Sequence, residues 1–364
     1  MTKRQSGMSL VEILIGMVIG LIGIVIITEA YLASDGFNRA AVGAGSGQSN
    51  GLIALFTLQR DIAMAGFGVN QSAASGCGIL NWYFKPNYSP NIQAGSPLPN
   101  IESAPVFIDS SVTPNTITVM YSSASQRPVP ALITSFVPAS SEVTVDNTTN
   151  FNTGDLILLV NQTTPPSCTI AEITQVQPSA SKLQMNPGAN GPYNPPAWGL
   201  FPGGYGSNDM VFDLGTPSVR TYSVATPAGA TGKYRLQVTD ALVTAQGGVG
   251  TSDLVDGVVD LRAQYGKDDG ANGGVAGDGV VDEYSNVQPA NGAQWSQILS
   301  VRIGVLVRIS HYEKPSMAGG ACAATTVAPT WAGGSFAIPE GLPSCYRYRV
   351  FQTVVPLRNM IWRP

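Results

Sequence analysis

The chain has 364 residues, and by length alone it allows two or three domains. Only 12% of its residues are charged, against about a quarter in a typical soluble protein, whereas glycine (41) and proline (26) are abundant. Because 44% of the residues are apolar and can form a core, the composition favours a turn-rich β protein over a disordered one. The net charge of −4 and the lack of a basic patch argue against nucleic-acid binding.

The first element is an apolar stretch behind a short positive leader. Lys3 and Arg4 precede Gly7, and the apolar stretch runs from Met8 to about Ile27. As a helix this stretch spans about 30 Å, which is enough to cross a bilayer. We expect Lys3 and Arg4 to stay on the cytoplasmic side. An ordinary secretory signal would instead place its small-residue cleavage site after the apolar stretch.

Glu12 is an ionisable residue inside this apolar stretch. A carboxylate at mid-membrane costs about 2.5–3.5 kcal/mol on insertion scales, and such residues usually mark function. Its natural partner is a positive group at a similar depth. The simpler alternative is a signal anchor with an incidental acid, although a glycine before the stretch and a glutamate at this offset rarely occur together.

The run Gly7-Met8-Ser9-Leu10-Val11-Glu12-Ile13 resembles the type IV prepilin signature. The resemblance implies that a prepilin peptidase cuts after Gly7 and that Met8 becomes the N-methylated first residue, where the family usually has Phe. It further implies that Glu12, fifth in the mature chain, pairs with the α-amino group of a neighbouring subunit and sets the axial stagger between subunits. Residues 1–7 are then a leader peptide, and residues 8–30 form the transmembrane and assembly helix.

A second helical segment is expected over residues 31–68. From Leu52 onward its apolar residues recur at the spacing of an amphipathic helix. Before that point, four glycines each weaken a helix by about 1 kcal/mol relative to alanine. We therefore predict a Gly-rich break or flexible stretch near residues 43–51, with a loop between two helices as the alternative. The glycines are Gly43, Gly45, Gly47 and Gly51.

The segment from Leu58 to Gly68 resembles the end of the long helix in minor pilins of the PilW type. Gly66 and Gly68 are suitable helix terminators. We expect Arg60 and Asp61 to be structural, in surface contacts or in contacts between the helix and a sheet.

Residues 70–364 are predicted to form a β-rich periplasmic or extracellular domain, because short apolar runs alternate there with turn residues. The stretch from Phe351 to Asn359 also resembles the closing strand of PilW-like proteins. The predicted fold class is α+β, a type IV pilin-like fold with a long N-terminal hydrophobic helix packed on an antiparallel β-rich domain. Long loops are expected at 180–210 and 315–343. Predicted strands are Thr116–Tyr121, Glu142–Val145, Leu156–Val160, Ile170–Gln175, Tyr234–Val238, Val259–Tyr265, Leu299–Ile309 and Tyr348–Leu357.

The four cysteines are an even number in an exported chain, which suggests two disulfides. Of the three possible pairings we favour Cys77–Cys168 and Cys322–Cys345, because sequence neighbours pair most easily. No C-x-x-C spacing occurs, which argues against a zinc site or a thioredoxin-like motif.

An acidic, glycine-rich loop follows Tyr265-Gly266. Carboxylate oxygens on a flexible loop suit Ca²⁺, and PilW-like proteins often have an Asp/Gly-rich segment at this place. The spacing does not meet the EF-hand pattern, so a solvated hairpin loop is the alternative. The candidate calcium ligands are Asp268, Asp269, Asp278, Asp282 and Glu283.

No enzymatic activity is predicted. The single histidine, His311, leaves one candidate for a nucleophile–base pair, and no Gly-x-Ser-x-Gly motif occurs. The resemblance implies a minor pilin that takes part in initiating type IV pilus assembly, in a priming complex near the tip. Implied partners are other minor pilins, the major pilin, prepilin peptidase, an inner-membrane assembly platform and membrane lipid.

The implied location is the bacterial inner membrane, with a single pass and a cytoplasmic N-terminus, and later the pilus or cell surface. Two alternatives stay open at this point. One is a J-type pseudopilin of a type II secretion system, which shares the N-terminus and the fold. The other is a membrane-anchored extracellular adhesin or hydrolase.

Overall fold

A computed structural model describes residues 10–68, 79–83, 92–93, 104–124, 129–162, 167–188, 193–194, 204–226, 233–242, 250–315 and 319–361. The helices are α1 (Leu10–Met64), α2 (Gly292–Ser296) and α3 (Arg358–Ile361). Short 3₁₀ turns lie at Pro138–Ser140, Pro178–Ala180 and Ala271–Gly273.

The strands are β1 (Ile79–Tyr83), β2 (Ile92–Gln93), β3 (Val106–Asp109), β4 (Thr116–Tyr121), β5 (Ala131–Val137), β6 (Glu142–Val145), β7 (Leu156–Val160), β8 (Ser167–Glu172), β9 (Gln175–Gln177), β10 (Lys182–Gln184), β11 (Met210–Gly215), β12 (Ser218–Ala225), β13 (Arg235–Asp240), β14 (Thr251–Asp256), β15 (Val258–Lys267), β16 (Glu283–Ser285), β17 (Ile298–Tyr312), β18 (Thr330–Trp331), β19 (Gly334–Ser335) and β20 (Tyr346–Pro356). The long N-terminal helix and the antiparallel β-rich region confirm the predicted α+β class. The eight predicted strands are all present, with ends shifted by a few residues in several cases and the Ile170–Gln175 prediction divided between β8 and β9.

Helix α1 packs on two antiparallel sheets that share one apolar core. One sheet has the strand order β16-β15-β17-β20, and the other has the order β14-β13-β12-β4-β3. Alternate residues of β17 explain the packing, since Val301, Ile303 and Val305 are fully buried in the core with Leu58 and Ile62 of α1. The intervening residues of β17 face the opposite side of the sheet, and the core lies between the helix and the two sheets.

The back of the four-stranded sheet is covered by residues 319–345, which we call the strap. Phe336 of the strap is buried against Leu306 and Val259, and Trp331 packs beside it. The long loop predicted at 315–343 is confirmed for the part that the structure describes, where most residues lie outside helices and strands. The strap contains the short hairpin β18–β19. The buried aromatic side chains of the strap supply the apolar area that orders the strap.

A third sheet has the order β2-β1-β8-β7-β11-β5-β6-β10-β9. Strands β8 and β9 occupy separate places in this order, yet only Ile173 and Thr174 lie between them in the chain. The strands from β5 to β11 therefore form a barrel-like unit, which we call the barrel. Its interior is an apolar cluster that includes Ile157, Leu159 and Val211. The loop predicted at 180–210 is wrong at its start, because β10 completes the barrel there.

The barrel is inserted between two strands that are hydrogen-bonded neighbours. Strand β4 precedes the barrel and β12 follows it, and the two pair antiparallel with Tyr121 opposite Ser218. A second apolar cluster joins the outer face of the barrel to Met120 and Val219 at the ends of these strands. The described part of residues 70–364 is thus divided between the sheets under α1 and the inserted barrel.

Candidate assembly helix and its contacts with the sheets

The first third of α1 exposes a continuous apolar surface. Between Leu10 and Ile27 the large apolar side chains are 46–76% exposed. Helix α1 is long and apolar enough to cross a membrane, and the most apolar window of the helix has no buried residue. Glu12 lies in the first turn of the helix, within this exposed surface. Gly7 and Met8 lie outside the described residues, so the processing site stays a prediction.

The glycines of α1 allow the helix to pack closely on β17 and β20 in the region where a break is predicted from the sequence. The helix runs unbroken through residues 43–51, and Gly43, Gly47 and Gly51 are buried. A Cβ atom at Gly43 or Gly47 would come within 3.3 or 3.2 Å of Ile309 side-chain carbons, and one at Gly51 would overlap the Phe351 ring. The prediction of a break is therefore wrong for this structure: the loss of helix propensity is offset by close approach to β17 and β20.

Two polar contacts flank this glycine track. The Asn50 side-chain amide donates to the carbonyl oxygen of Asp256 at 3.0 Å, and Arg349 donates to the side-chain oxygen of Gln48 at 3.0 Å. Since Asp256 ends β14 and Arg349 lies on β20, the two bonds hold the helix from opposite sides. His311, the single histidine, is half-buried at the end of β17 beside Gly43.

A buried acid ties the end of α1 to the five-stranded sheet. Asp61 is 1% exposed, and its Oδ2 accepts hydrogen bonds from the Tyr222 hydroxyl at 2.5 Å and from Nη1 of Arg220 at 3.0 Å. Arg60 reaches Oδ1 at 3.1 Å from a more exposed position. Burial, together with the bond to the Asp61 carboxylate, raises the pKa of Tyr222, so the phenol stays protonated and donates.

The expected helix–sheet role of Asp61 is confirmed, but its partners Arg220 and Tyr222 were not foreseen from the sequence. One signal was available. Asp61 falls on the same helical stripe as Ala54 and Leu58, where an apolar residue would be usual, and a buried acid at such a position requires a donor. The sequence does not say which of the distant strands supplies that donor.

The predicted helix end is also confirmed. Gly66 and Gly68 adopt φ values of +75° and +80°, the left-handed conformation that stops a helix. The side-chain amide of Asn359 donates to the carbonyl oxygens of Met64 and Ala65, both at 3.1 Å. Asn359, next to the last strand, therefore caps the C-terminal end of α1.

The acidic loop uses its carboxylates on its own backbone. Asp268 is buried and accepts from the N–H groups of Gly277 at 2.5 Å and Gly279 at 2.8 Å, and Asp282 accepts from Gly270 at 2.6 Å. Across the ranges that the structure covers, no group of three or more acidic, histidine or cysteine side chains is arranged to hold a metal ion. Calcium binding by this loop stays a prediction.

The remaining candidates of this loop also have local partners. Asp269 accepts from the N–H of Ala271 at 3.2 Å, and Asp278 accepts from that of Val280 at 2.8 Å. Glu283 pairs with Lys267 at 3.6 Å. These contacts support the solvated hairpin alternative for the loop.

One of the two predicted disulfides is confirmed. Cys322 and Cys345 are bonded, with their Cα atoms 4.7 Å apart, and the bond closes the strap at its base. Cys168 is fully buried on β8, and its predicted partner Cys77 lies outside the described residues, so that pairing stays a prediction.

Two family models match the chain. Residues 2–28 match the prokaryotic N-terminal methylation motif, and residues 221–359 match type IV pilus-assembly protein W. No curated protein and no solved structure matches the chain. The first match covers the exposed apolar part of α1, and the second runs from β12 to α3 and covers the sheets on which the helix packs except for β3 and β4. Together with this fold, the two matches support a prepilin-like protein of the PilW type.

Proposed function

We propose that the chain is a minor pilin that takes part in the initiation of type IV pilus assembly. It acts as a structural subunit within a priming complex with other minor pilins, near the tip of the filament. The observation that carries the proposal is the exposed apolar surface of α1 from Leu10 to Ile27. In water such a surface is unfavourable by about 25 cal/mol per Å², so it needs a bilayer before assembly and neighbouring helices afterwards.

The steps follow from the N-terminal residues. The helix holds the subunit in the inner membrane, with the sheets and the barrel on the periplasmic side. Prepilin peptidase removes residues 1–7, and methylation follows at Met8. Glu12 then pairs with the N-terminus of a neighbouring subunit as the assembly platform draws the subunit out of the membrane. The charge pair removes the cost of an isolated carboxylate in an apolar surrounding.

The experiment deletes the gene in the source bacterium and counts surface pili by electron microscopy. We expect fewer pili, with recovery on return of the wild-type chain. Mass spectrometry of that chain should find methylated Met8 at its N-terminus. Glu12→Ala should fail to restore pili, whereas Glu29→Ala, which removes another exposed acid of α1, should restore them.

An unprocessed N-terminus, or full recovery with Glu12→Ala, would contradict the proposal. A deletion that leaves pili unchanged but abolishes secretion of type II substrates would favour the J-type pseudopilin instead.

A further inference from the structure

Strand β20 is an edge of the four-stranded sheet on which α1 packs. It has 11 residues, and β17 is its one neighbour in that sheet within the described part of the chain. The N–H of Leu357 donates to the carbonyl oxygen of Leu299 at 2.9 Å, and Val355 lies opposite Val301 in the same register. In an antiparallel pair, alternate residues of a strand bond to the same neighbour, so the odd-numbered residues of β20 bond to β17. The backbone groups that point outward belong to Tyr348, Val350, Gln352 and Val354.

The outward backbone groups of β20 have no hydrogen-bond partner among the residues that the structure describes. The edge is also open to solvent, since the Val354 side chain is 45% exposed and Gln352 is exposed. Pro356, which has no N–H, occupies the next outward position, where β17 requires no donor. An edge of this kind is a template for a further strand, because each unpaired N–H and C=O group gains a partner there.

The other edges of the two sheets under α1 are short or already bonded. On the four-residue β3, the N–H of Ile108 donates to the Tyr265 hydroxyl at 2.8 Å, and this hydroxyl donates to the carbonyl oxygen of Val106 at 3.2 Å. At the end of β14, the carbonyl oxygen of Asp256 accepts from Asn50 of α1. Strand β16 has three residues. Strand β20 is therefore the long edge of these sheets that stays available in the described structure.

The flank of α1 beside β20 offers an apolar contact to an added strand. Arg349 of β20 donates to Gln48, which places Gln48 on that flank. Leu52 lies one helical turn further along the same stripe, and it is 52% exposed. The ring of Phe351 on β20 already lies against Gly51 of α1. A strand that extends the sheet beyond β20 would direct alternate side chains toward Leu52 in the same way.

The charge of this edge indicates which kind of strand it would bind. Residues 346–358 contain Arg347, Arg349 and Arg358 and no acid, in a chain whose net charge is −4. Arg347 pairs with Glu313, whereas Arg349 and Arg358 form no ion pair in the part of the chain that the structure covers. Carboxylates on an added strand would be attracted to these arginines, whereas a second copy of β20 would be repelled.

We propose that the edge of β20 binds an extended, acidic segment of another protein as an added strand of the sheet. Backbone hydrogen bonds to the outward groups hold the segment, its apolar side chains contact Leu52, and carboxylates near its two ends contact Arg349 and Arg358. The inference goes beyond the proposed function and does not require it, because the edge is present in a single subunit. A chain that fails the pilus test can still pass the tests of this edge.

The first test measures amide hydrogen exchange in the wild-type full-length chain, in detergent and at single-residue resolution. The N–H groups of the even-numbered residues from Tyr348 to Val354 should exchange quickly, and those of the odd-numbered residues from Arg349 to Val355 should exchange slowly. Equal protection of the two sets would show that the edge is already covered and would overturn the proposal.

The second test titrates the same chain into a fluorescein-labelled peptide of sequence DEVTVTVED. This sequence reads identically in both directions, so it fits a parallel or an antiparallel partner. We expect saturable binding that protects the even-numbered amides and is about tenfold tighter than that of the control peptide KKVTVTVKK. No saturation up to about 1 mM, or equal affinity for the two peptides, would refute the proposal.

Val354→Pro removes one outward N–H and leaves every bond to β17 in place, and Val354→Thr is the matched control that keeps the N–H. The proline should weaken binding of DEVTVTVED about fivefold, and the threonine should not weaken it. Formation of the Cys322–Cys345 disulfide reports folding. Arg358→Glu is a second variant outside the strand, and it should weaken binding of DEVTVTVED and strengthen binding of KKVTVTVKK. Unchanged affinities in Arg358→Glu would contradict the assigned charge contact.

The third test identifies the partner in the source bacterium. The photo-cross-linking residue p-benzoylphenylalanine replaces Val354 on the edge or, as a control, Val327 of the strap, which is 76% exposed. The chain substituted at Val354 should cross-link to an acidic segment of another protein, and mass spectrometry locates the linked segment. No cross-link from Val354, a basic segment at the link, or the same segment linked from both positions would overturn the proposal.

Discussion

Gly51→Ala is the sharpest test of how α1 packs on the sheets. In an isolated helix the change is favourable by about 1 kcal/mol. Here the new methyl group would overlap the ring of Phe351, and overpacking of this kind costs about 1–3 kcal/mol. We therefore expect a net loss of about 1 kcal/mol in the free energy of unfolding.

Gly45→Ala is the matched control. It lies on the same helix six residues earlier, and no atom lies within 4 Å of the position its Cβ would take. Only the helix-propensity term applies there, so this change should raise stability by up to about 1 kcal/mol. Opposite signs for two identical substitutions isolate the effect of the close contact.

The assay is thermal unfolding of the full-length chain in detergent, followed by tryptophan fluorescence. A change of 1 kcal/mol shifts the melting temperature of a mid-sized domain by about 2–4 °C. In a Phe351→Leu background, which removes the ring, Gly51→Ala should become stabilising. If Gly51→Ala raises the melting temperature of the otherwise wild-type chain as much as Gly45→Ala does, the packing argument is wrong.

Three further outcomes are expected in the same unfolding assay. Asp61→Ala should lower the free energy of unfolding by about 2–4 kcal/mol, because it removes the acceptor of a buried hydroxyl. Arg60→Ala removes a more exposed partner and should lower it by under about 0.5 kcal/mol. Equal effects of the two substitutions would contradict the assigned network. Phe336→Ala should lower the free energy of unfolding by about 3 kcal/mol and make the strap sensitive to protease. A strap that stays resistant to protease in this variant would contradict the anchoring role of Phe336. The hydrogen bond from Arg347 lowers the pKa of Glu313, so the stability that Glu313→Gln removes should be present above pH 4.5 and lost as the pH falls through the lower folded-state pKa. A stability difference that grows as the pH falls below 4.5 would refute this assignment.

Several features of the molecule were readable from local sequence. The apolar stretch before residue 28, the position of Glu12 within it, and the helix stop at Gly66 and Gly68 each depend on neighbours close in the chain. The strands can also be predicted from the sequence, because the alternation of residue types from Val301 to Ile309 indicates which side chains share a face. Local periodicity carries this information since strands and helices are short-range structures.

The glycines of α1 show where local reasoning failed. Their low helix propensity correctly predicts a weak helix in isolation, and the break was inferred from that alone. The structure adds the sheet, whose Ile309 and Phe351 leave no room for a side chain on that face of the helix. Packing outweighs propensity because the whole buried face of the helix contributes, whereas each glycine costs only about 1 kcal/mol.

The sequence by itself determined an anchored, prepilin-like chain with a long helix and many strands. Only the tertiary structure decided which strands meet. It brought Asp61 to Arg220 and Tyr222, about 160 positions away in the chain, and it assembled the strands from β5 to β11 into the barrel between β4 and β12. Such pairings depend on contacts between residues far apart in sequence, and no local pattern states which of many similar apolar strands will be neighbours.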